Sequence, residues 1–296
     1  MNPVWQWLMY FYIYCFAGWV WESCYVSVRK HRWVNRGFMK GPLLPIYGSG
    51  ALCILGVAAA AGNFLPLTVL AGTAAATVLE YVTGAVMEAL FKVRYWDYST
   101  EFLNLNGYIC LKSVLCWAVM TVLLVYVIHP PVAAAVGRLS ESVLYSADLM
   151  ITALGAADFA TSFKAAIDFR DLLLYGERLK EEVRLLQNRL DELERQLAEN
   201  LTESSARRRE ELRATAERAK GALDFSEKRE ELRALRQELQ TRQKIQKERL
   251  QAAYSRSIHG LLKRNPGAVS RKHSDALEDI RRMIRERIGK DGKTQS

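Results

Sequence analysis

Residues 18–50 read GWVWESCYVSVRKHRWVNRGFMKGPLLPIYGSG, and the order of the parts in this stretch decides the fold. An aromatic, apolar run gives way to a basic loop. The loop gives way to a second apolar run that opens on Gly41, Pro42 and Pro45. Arg29, Lys30, Arg32, Arg36 and Lys40 place five positive charges in that short loop. Basic loops between apolar segments stay on the cytoplasmic side of a membrane. The stretch therefore predicts an all-α, polytopic helical bundle whose solvent is the lipid bilayer.

Working outward, the first apolar segment runs from about Trp5 to Val28. It is long enough to cross a hydrocarbon core of about 30 Å at about 1.5 Å per residue. No basic residue precedes it and no cleavage site follows, so it reads as a retained span rather than a signal peptide. The second segment, from about Leu43 to Ala61, carries Gly48, Ser49, Gly50, Ala51 and Gly56, which permit close helix approach. The third runs from about Leu65 to Phe91 and ends at Lys92 and Arg94. The fourth runs from about Gly107 to Ile128, and Pro130-Pro131 should stop it.

Residues 132–157 mix Arg138, Glu141 and Asp148 with apolar residues, so they read either as a fifth span or as an interfacial helix. A fifth span puts the charged C-terminal part in the cytoplasm and the N-terminus outside. The expected division is a transmembrane domain over 1–157, a coiled coil or helical hairpin over 158–256, and a basic helical tail over 257–296.

Composition supports the division. Of 41 Lys and Arg, nine lie in residues 1–140; of 32 Asp and Glu, five do. The net charge of +9 is thus spread over both parts, and in the second part the signs interleave. Interleaved charge describes solvated helix faces rather than a phosphate-binding surface, so nucleic acid is not an expected partner. The five cysteines, Cys15, Cys24, Cys53, Cys110 and Cys116, all lie in apolar segments without C-x-x-C pairing. Neither a disulfide framework nor a metal site is expected, and no cofactor.

Beyond residue 170 the apolar residues fall into heptads. Leu172, Leu179, Val183, Leu186, Leu190, Leu193 and Leu197 alternate steps of three and four, with Gly176 filling one place. A weaker run follows at Leu212, Ala216, Ala219 and Leu223, then a capping box at Asp224 and Glu227. A second seam has Leu232, Leu235 and Leu239. An antiparallel hairpin turning near Gly221–Ser226 and one long dimerising helix both fit. Pro266-Gly267 breaks the tail. The final helix carries Leu277, Ile280, Ile284 and Ile288 opposite arginines, which suits either the inner leaflet or packing on neighbouring helices.

Four ionisable residues fall inside the apolar segments: Glu22, Glu80, Glu88 and Lys112. Such charges are costly in a bilayer, by about 2.5–3.5 kcal/mol on insertion scales, and they mark functional sites by default. Counted from the cytoplasmic ends, Glu22, Glu88 and Lys112 lie at similar depth, about 6–11 Å in, and could neutralise one another. Glu80 lies about 18 Å in, near the midplane, with no obvious partner. One reading is a polar site open to the cytoplasm with Glu80 deeper along a path, protonated or holding a cation. The other is that Glu22 and Glu88 only lock the bundle. The Gly-Pro pattern has two readings as well: a broken, re-entrant approach to the second helix, or a helix start at Pro45 with glycines at contacts. Arg94 to Ser99, RYWDYS, suits anchoring at the inner interface, with Asp97 placed to pair with Arg36 or Arg94. No P-loop, zincin or nucleophile-elbow signature occurs, so an enzyme is not expected.

Four blocks carry a family resemblance: GWVWES, VNRGFMKGPLLPIYGSGAL, LEYVTGAVMEALF with RYWDYS, and LNGYICLKS. They resemble, in order, the CmpB-like "type IV" family of ABC-transporter permeases, over about residues 1–150. LLKRNPGAVSRKHSDALEDI also looks like the ends of such proteins. The residues that carry the match in the loops are Asn35, Arg36, Gly37, Gly41, Pro42, Pro45, Tyr47, Gly48, Trp96, Asp97, Tyr98, Asn106 and Gly107. The resemblance implies a multi-pass bacterial plasma-membrane protein, a permease component moving a small solute or ion and served by a separate ATPase subunit. The heptads add the expectation of a homo-oligomer. A membrane scaffold or sensor that recruits a cytoplasmic partner through its coiled coil is the alternative.

Overall fold

In the computed structural model of the chain, the described residues are 3–62, 64–207, 230–245, 248 and 256–291. The fold is all-α. The described residues form no β-sheet, only two isolated bridges, Arg94–Val269 and Leu105–Ile109. Two compact units are present. The first holds Met1–Arg170 and Ser255–Leu277; the second holds Asp171–Tyr254 and Glu278–Ser296.

The first unit opens with α1 (Pro3–Lys30), a 28-residue helix with Arg29 and Lys30 in its last turn, where cations complement the helix dipole. Helix α2 (Pro45–Ala60) starts at a proline, whose missing N–H costs nothing at that position. Helix α3 (Leu65–Phe91) ends at Lys92, which adopts a left-handed conformation (φ 60°) and donates its N–H to the Glu88 carbonyl. Helix α4 (Leu111–Leu123) begins where the Ser113 hydroxyl accepts the Cys110 N–H at 3.1 Å.

Pro130-Pro131 does not stop this helix, contrary to expectation. The chain passes through a π-helical turn at Leu124–Ile128 and continues as α5 (His129–Gly137). The His129 N–H bonds back to the Leu124 carbonyl, five residues earlier. A proline lacks the N–H that an α-helical ladder requires and crowds the carbonyl of the preceding turn. The wider π turn absorbs that mismatch, so the residues after the proline pair stay helical. Gly137 then ends the element, and the apolar stretch 132–157 is divided between α5 and α6 (Glu141–Arg207).

Among the described residues, three helical stretches are long and apolar enough to cross a membrane: Leu65–Phe91, Leu111–Gly137 and the long helix from Glu141. The 16-residue α2 is apolar but shorter. Met9, Tyr10 and Tyr14 of α1 meet Ala51, Ile54 and Leu55 of α2, Ala76 of α3, Leu124, Val136 and Leu144 in one core. Glycine sets the closest approach. A β-carbon on Gly48 would run into Cys15 and Phe11, and one on Gly18 would run into the Tyr47 ring. Close contact through small residues is how helices associate where lipid removes the hydrophobic drive.

In the second unit, α6 continues from Asp171 and packs against α7 (residues 230–245). Arg242 pairs with Glu182 at 2.8 Å, Arg189 with Glu231 at 3.1 Å, and Arg236 with Glu194. Low numbers on one helix meet high numbers on the other, so the two helices run antiparallel within one chain. Leu172, Gly176, Leu179, Leu193 and Leu197 on α6 and Leu235 on α7 are buried, so the heptad positions form the inward face. The weaker run from Leu212 to Leu223, the Asp224–Glu227 capping box and the Gly221–Ser226 turn lie outside the described residues. The tail breaks after α8 (Arg256–Arg264), as the Pro-Gly pair predicts, and resumes as α9 (Ser274–Asp291), with Leu277 and Ile280 buried.

Candidate functional site

The site is built on a non-helical strip. After α1 the chain turns back and runs along that helix before α2 begins. The Ser27 hydroxyl accepts the Val34 N–H at 2.9 Å, and the Ser23 hydroxyl accepts the Arg36 N–H at 3.1 Å. The Trp19 indole donates to Asn35 Oδ1 at 2.6 Å, and the Leu44 N–H reaches the Cys15 carbonyl at 3.1 Å. Ser27, Ser23, Trp19 and Cys15 step up one face of α1 at four-residue spacing, the helical repeat that makes a continuous rail. Helix α2 therefore starts beside the middle of α1. Pro45 begins the helix as the simpler reading held, and residues 34–44 also form a broken approach to it. Asn35 helps to shape this strip by donating to the Lys40 carbonyl at 2.7 Å, and Gly37 takes a φ of 138° there. Asp158 of α6, which sequence reasoning did not single out, accepts the N–H groups of Lys40 at 3.1 Å and Gly41 at 2.7 Å. Pro42 lies beside it, lining an apolar groove of about 410 Å³ between α1 and α6.

Three carboxylates face this region, each in a different setting. Glu22 accepts the Tyr47 hydroxyl at 2.9 Å, and Arg36 approaches it at 3.8 Å. Glu80 is buried, yet among the described residues the groups bonded to it are neutral: Trp117 Nε1 at 2.9 Å and the Tyr98 hydroxyl at 3.4 Å. Glu88 accepts Arg94 Nε and the Tyr108 hydroxyl, both at 2.6 Å.

Arg94 is the hub of the third setting. Only 4% exposed, it also bonds Asp97 at 3.2 Å and the Asn106 carbonyl at 2.8 Å, and it lies 4.4 Å over the Tyr108 ring. Burial works against its charge, but the hydrogen bond and charge of Glu88 outweigh burial and raise its pKa. Asp97 thus pairs with Arg94, the second of its two expected partners. Gly107 turns the loop with a φ of 74°, so that its carbonyl accepts the Tyr98 N–H at 2.9 Å. Trp96 donates to the Tyr108 carbonyl at 2.9 Å, and the two rings cover Gly84 of α3; Asn106 donates to Tyr81 at 2.8 Å.

Two expectations change. Glu22, Glu88 and Lys112 do not neutralise one another. Lys112 is exposed and has no ion-pair partner among the described residues, while arginines from the loops serve both carboxylates. Equal depth along separate helices did not specify which faces meet. Glu80 is also not alone. Helix α3 has 27 residues, about 40 Å of helix. Its last turns are wrapped by the loop 92–110, which brings Tyr98 up to Glu80. Counted from Leu65, Glu80 is about 22 Å along α3.

Tyr98, bonded to Glu80, also lies within electrostatic range of Glu22. Burial first, then the nearby charges of Glu80 and Glu22, pushes the Tyr98 phenol pKa up. Tyr47, on Glu22, and Trp117, on Glu80, face each other with ring centroids 6.1 Å apart. The pair forms one site: two carboxylates bridged by aromatic donors, with one loose cation.

The tail closes the site from below. Arg36 donates to Asn265 Oδ1 at 2.8 Å and to the Tyr95 carbonyl at 2.9 Å. Asn265 donates in turn to the Gly37 carbonyl at 3.1 Å. Val269 bridges Arg94 through paired backbone bonds of 2.8 and 3.0 Å, and Ser270 donates to the Lys92 carbonyl at 2.7 Å. Sequence flagged this tail as a family-like block with a Pro-Gly break, without singling out Asn265 or Ser270; the asparagine just before that break was the available signal.

The family model described as "Putative ABC-transporter type IV" (ABC_trans_CmpB) matches residues 9–163. Among curated proteins and solved structures, nothing matches the chain. The matched range takes in Glu22, Glu80, Glu88 and the loops that serve them.

Proposed function

Since the chain belongs to this ABC-transporter type IV family, we propose that it is the permease component of a transport system. Its Glu22–Glu80 pair receives a small cation or cationic solute from the cytoplasmic side. The observation that carries the proposal is Glu80: a buried carboxylate held only by neutral donors. Buried charges are as a rule paired; this one is solvated by dipoles and left uncompensated, which suits a partner that comes and goes. Glu22 supplies a second negative group nearby, and its own cation stands off at 3.8 Å.

A topology follows from the same reading. Helices α1, α2, α3, the joined α4–α5 and the first part of α6 make five crossings in a bacterial plasma membrane, N-terminus outside. Trp7 and Tyr25, both exposed on α1, are 18 residues and so about 27 Å apart, the spacing of an aromatic belt on each face. The short α2 then crosses the outer half, and residues 34–44 line the inner half. Non-helical backbone is tolerated at that depth only where protein or a cavity satisfies it. The N–H groups of Val34, Arg36, Lys40, Gly41 and Leu44 are all satisfied by protein. The charged helices beyond Asp171 lie in the cytoplasm as a coiled-coil extension, and a separate ATPase supplies energy.

Trp117 touches Glu80 directly, so the site has its own reporter. The purified full chain in detergent is titrated with alkali, ammonium and quaternary ammonium cations while tryptophan fluorescence is followed. One class should give a saturable change, and Glu80→Gln should weaken its binding by about tenfold or more, equivalent to about 1.4 kcal/mol. No saturable response to any class, or the same response in Glu80→Gln, rejects the reading.

A further inference from the structure

A fourth intramembrane acid stands apart from this site and is stranger than any of the three. Asp148 of α6 is fully buried, and among the described residues neither carboxylate oxygen has a hydrogen-bond partner. Leu144, one turn earlier on the same helix, belongs to the core with Tyr10 and Tyr14 of α1. Thr152, one turn later, donates to the Asp148 backbone carbonyl at 2.6 Å and is 2.7 Å from the Tyr12 hydroxyl of α1. With the Thr152 proton committed to that carbonyl, Tyr12 is the donor in the second bond. Both hydroxyl protons are therefore used, and neither serves the Asp148 side chain.

One turn either side of Asp148, Leu144 shares a core with Tyr10 and Tyr14 of α1 and Thr152 meets Tyr12, while Tyr14 bonds His129 of α5 at 2.8 Å. An ionised carboxylate in such a place would carry a desolvation penalty of several kcal/mol with nothing to offset it. A neutral carboxylic acid carries far less, because it presents no net charge to a medium that cannot solvate one.

We propose that Asp148 is a proton-binding site, which holds its proton while α6 is seated on α1 and exchanges it with water when the two helices part. The reaction is the dissociation of one carboxylic acid to carboxylate and a hydrated proton; no other reactant is needed. The site is independent of the Glu22–Glu80 reading and would stand if that reading fell, because its ligand is the proton and its wall is the α1–α6 contact.

Infrared spectroscopy of the full chain in lipid nanodiscs tests it at neutral pH, where exposed aspartates are ionised. The carbonyl stretch of a neutral carboxylic acid should be present in the wild type and reduced by one group in Asp148→Asn. Isotope labelling of aspartate alone should shift that band in the wild-type chain, which keeps the test decisive even if the variant fails to fold. Proton exchange should also quicken in Tyr12→Phe, which removes the hydroxyl joining α1 to Thr152 and loosens the contact. A neutral-acid band that aspartate labelling leaves unmoved overturns the proposal, as does a spectrum unchanged in folded Asp148→Asn.

Discussion

Glu80 and Glu88 lie two helical turns apart on α3, and their surroundings could hardly differ more. Glu88 is locked to Arg94, which is locked in turn to Asp97 and the Asn106 carbonyl. Glu80, more deeply buried, has no cation bonded to it among the described residues. The comparison separates two uses of an intramembrane acid. One closes a charge-balanced network that fixes a loop. The other keeps a negative charge surrounded by dipoles, ready for a transient partner. Burial alone would not have told them apart; the charge of the bonded groups does.

The most severe way to break the comparison is Arg94→Ala. It leaves Glu88 without its cation and the Asn106 carbonyl without that donor in a buried setting, and removing one member of such a pair costs about 3–5 kcal/mol. Thermal unfolding in detergent should show a large drop or no folded protein. A drop of less than about 1 kcal/mol would mean the network is solvated and the contrast false. Asn265→Ala comes next. It strips the Gly37 carbonyl and the Arg36 guanidinium of one partner each, worth about 1–3 kcal/mol where the groups stay buried. Hydrogen exchange should rise in residues 34–44 and leave α3 unchanged; a uniform rise would show global destabilisation instead of release of the tail. Glu80→Gln should be milder for folding, within about 1 kcal/mol of wild type, since an amide still accepts from Trp117. Its effect belongs to the cation titration, and a melting loss as large as that of Arg94→Ala would merge the two acids into one structural class. Arg242→Ala should do least. Its pairs on the α6–α7 face are half exposed, and such pairs are worth less than about 1 kcal/mol. Stability measurably lower than that would show that the ion pairs, and not the leucine seam, hold the two helices.

Much of the fold was legible beforehand. Helix limits from Leu65 to Phe91, the start at Pro45 and the Pro-Gly break in the tail follow from local chemistry, so pattern reading located them. The proline pair misled because its missing hydrogen bonds were accommodated by a π turn, a remedy no local rule announces. The candidate site was half legible. The rarity of charge in apolar segments picked out Glu22, Glu80 and Glu88. Their partners came from Arg36, Arg94, Tyr98 and Trp117, which sequence distance gave no reason to join. Lys112 had the right depth and the wrong face.

By itself, then, the sequence determined an all-α membrane protein of this family, its helices, its inward leucines and the acids worth watching. These depend on periodicity, composition and the cost of charge in lipid, which act residue by residue. Only the tertiary structure decided that residues 34–44 climb α1 before α2 begins, that the loop arginines rather than Lys112 serve the acids, and that the Asp148 carboxyl is sealed without a hydrogen-bond partner among the described residues. Those are facts about which faces meet, and they come from glycine-sized clearances such as Gly48 against Cys15 and from loops folding back on helices, neither of which has a period to read.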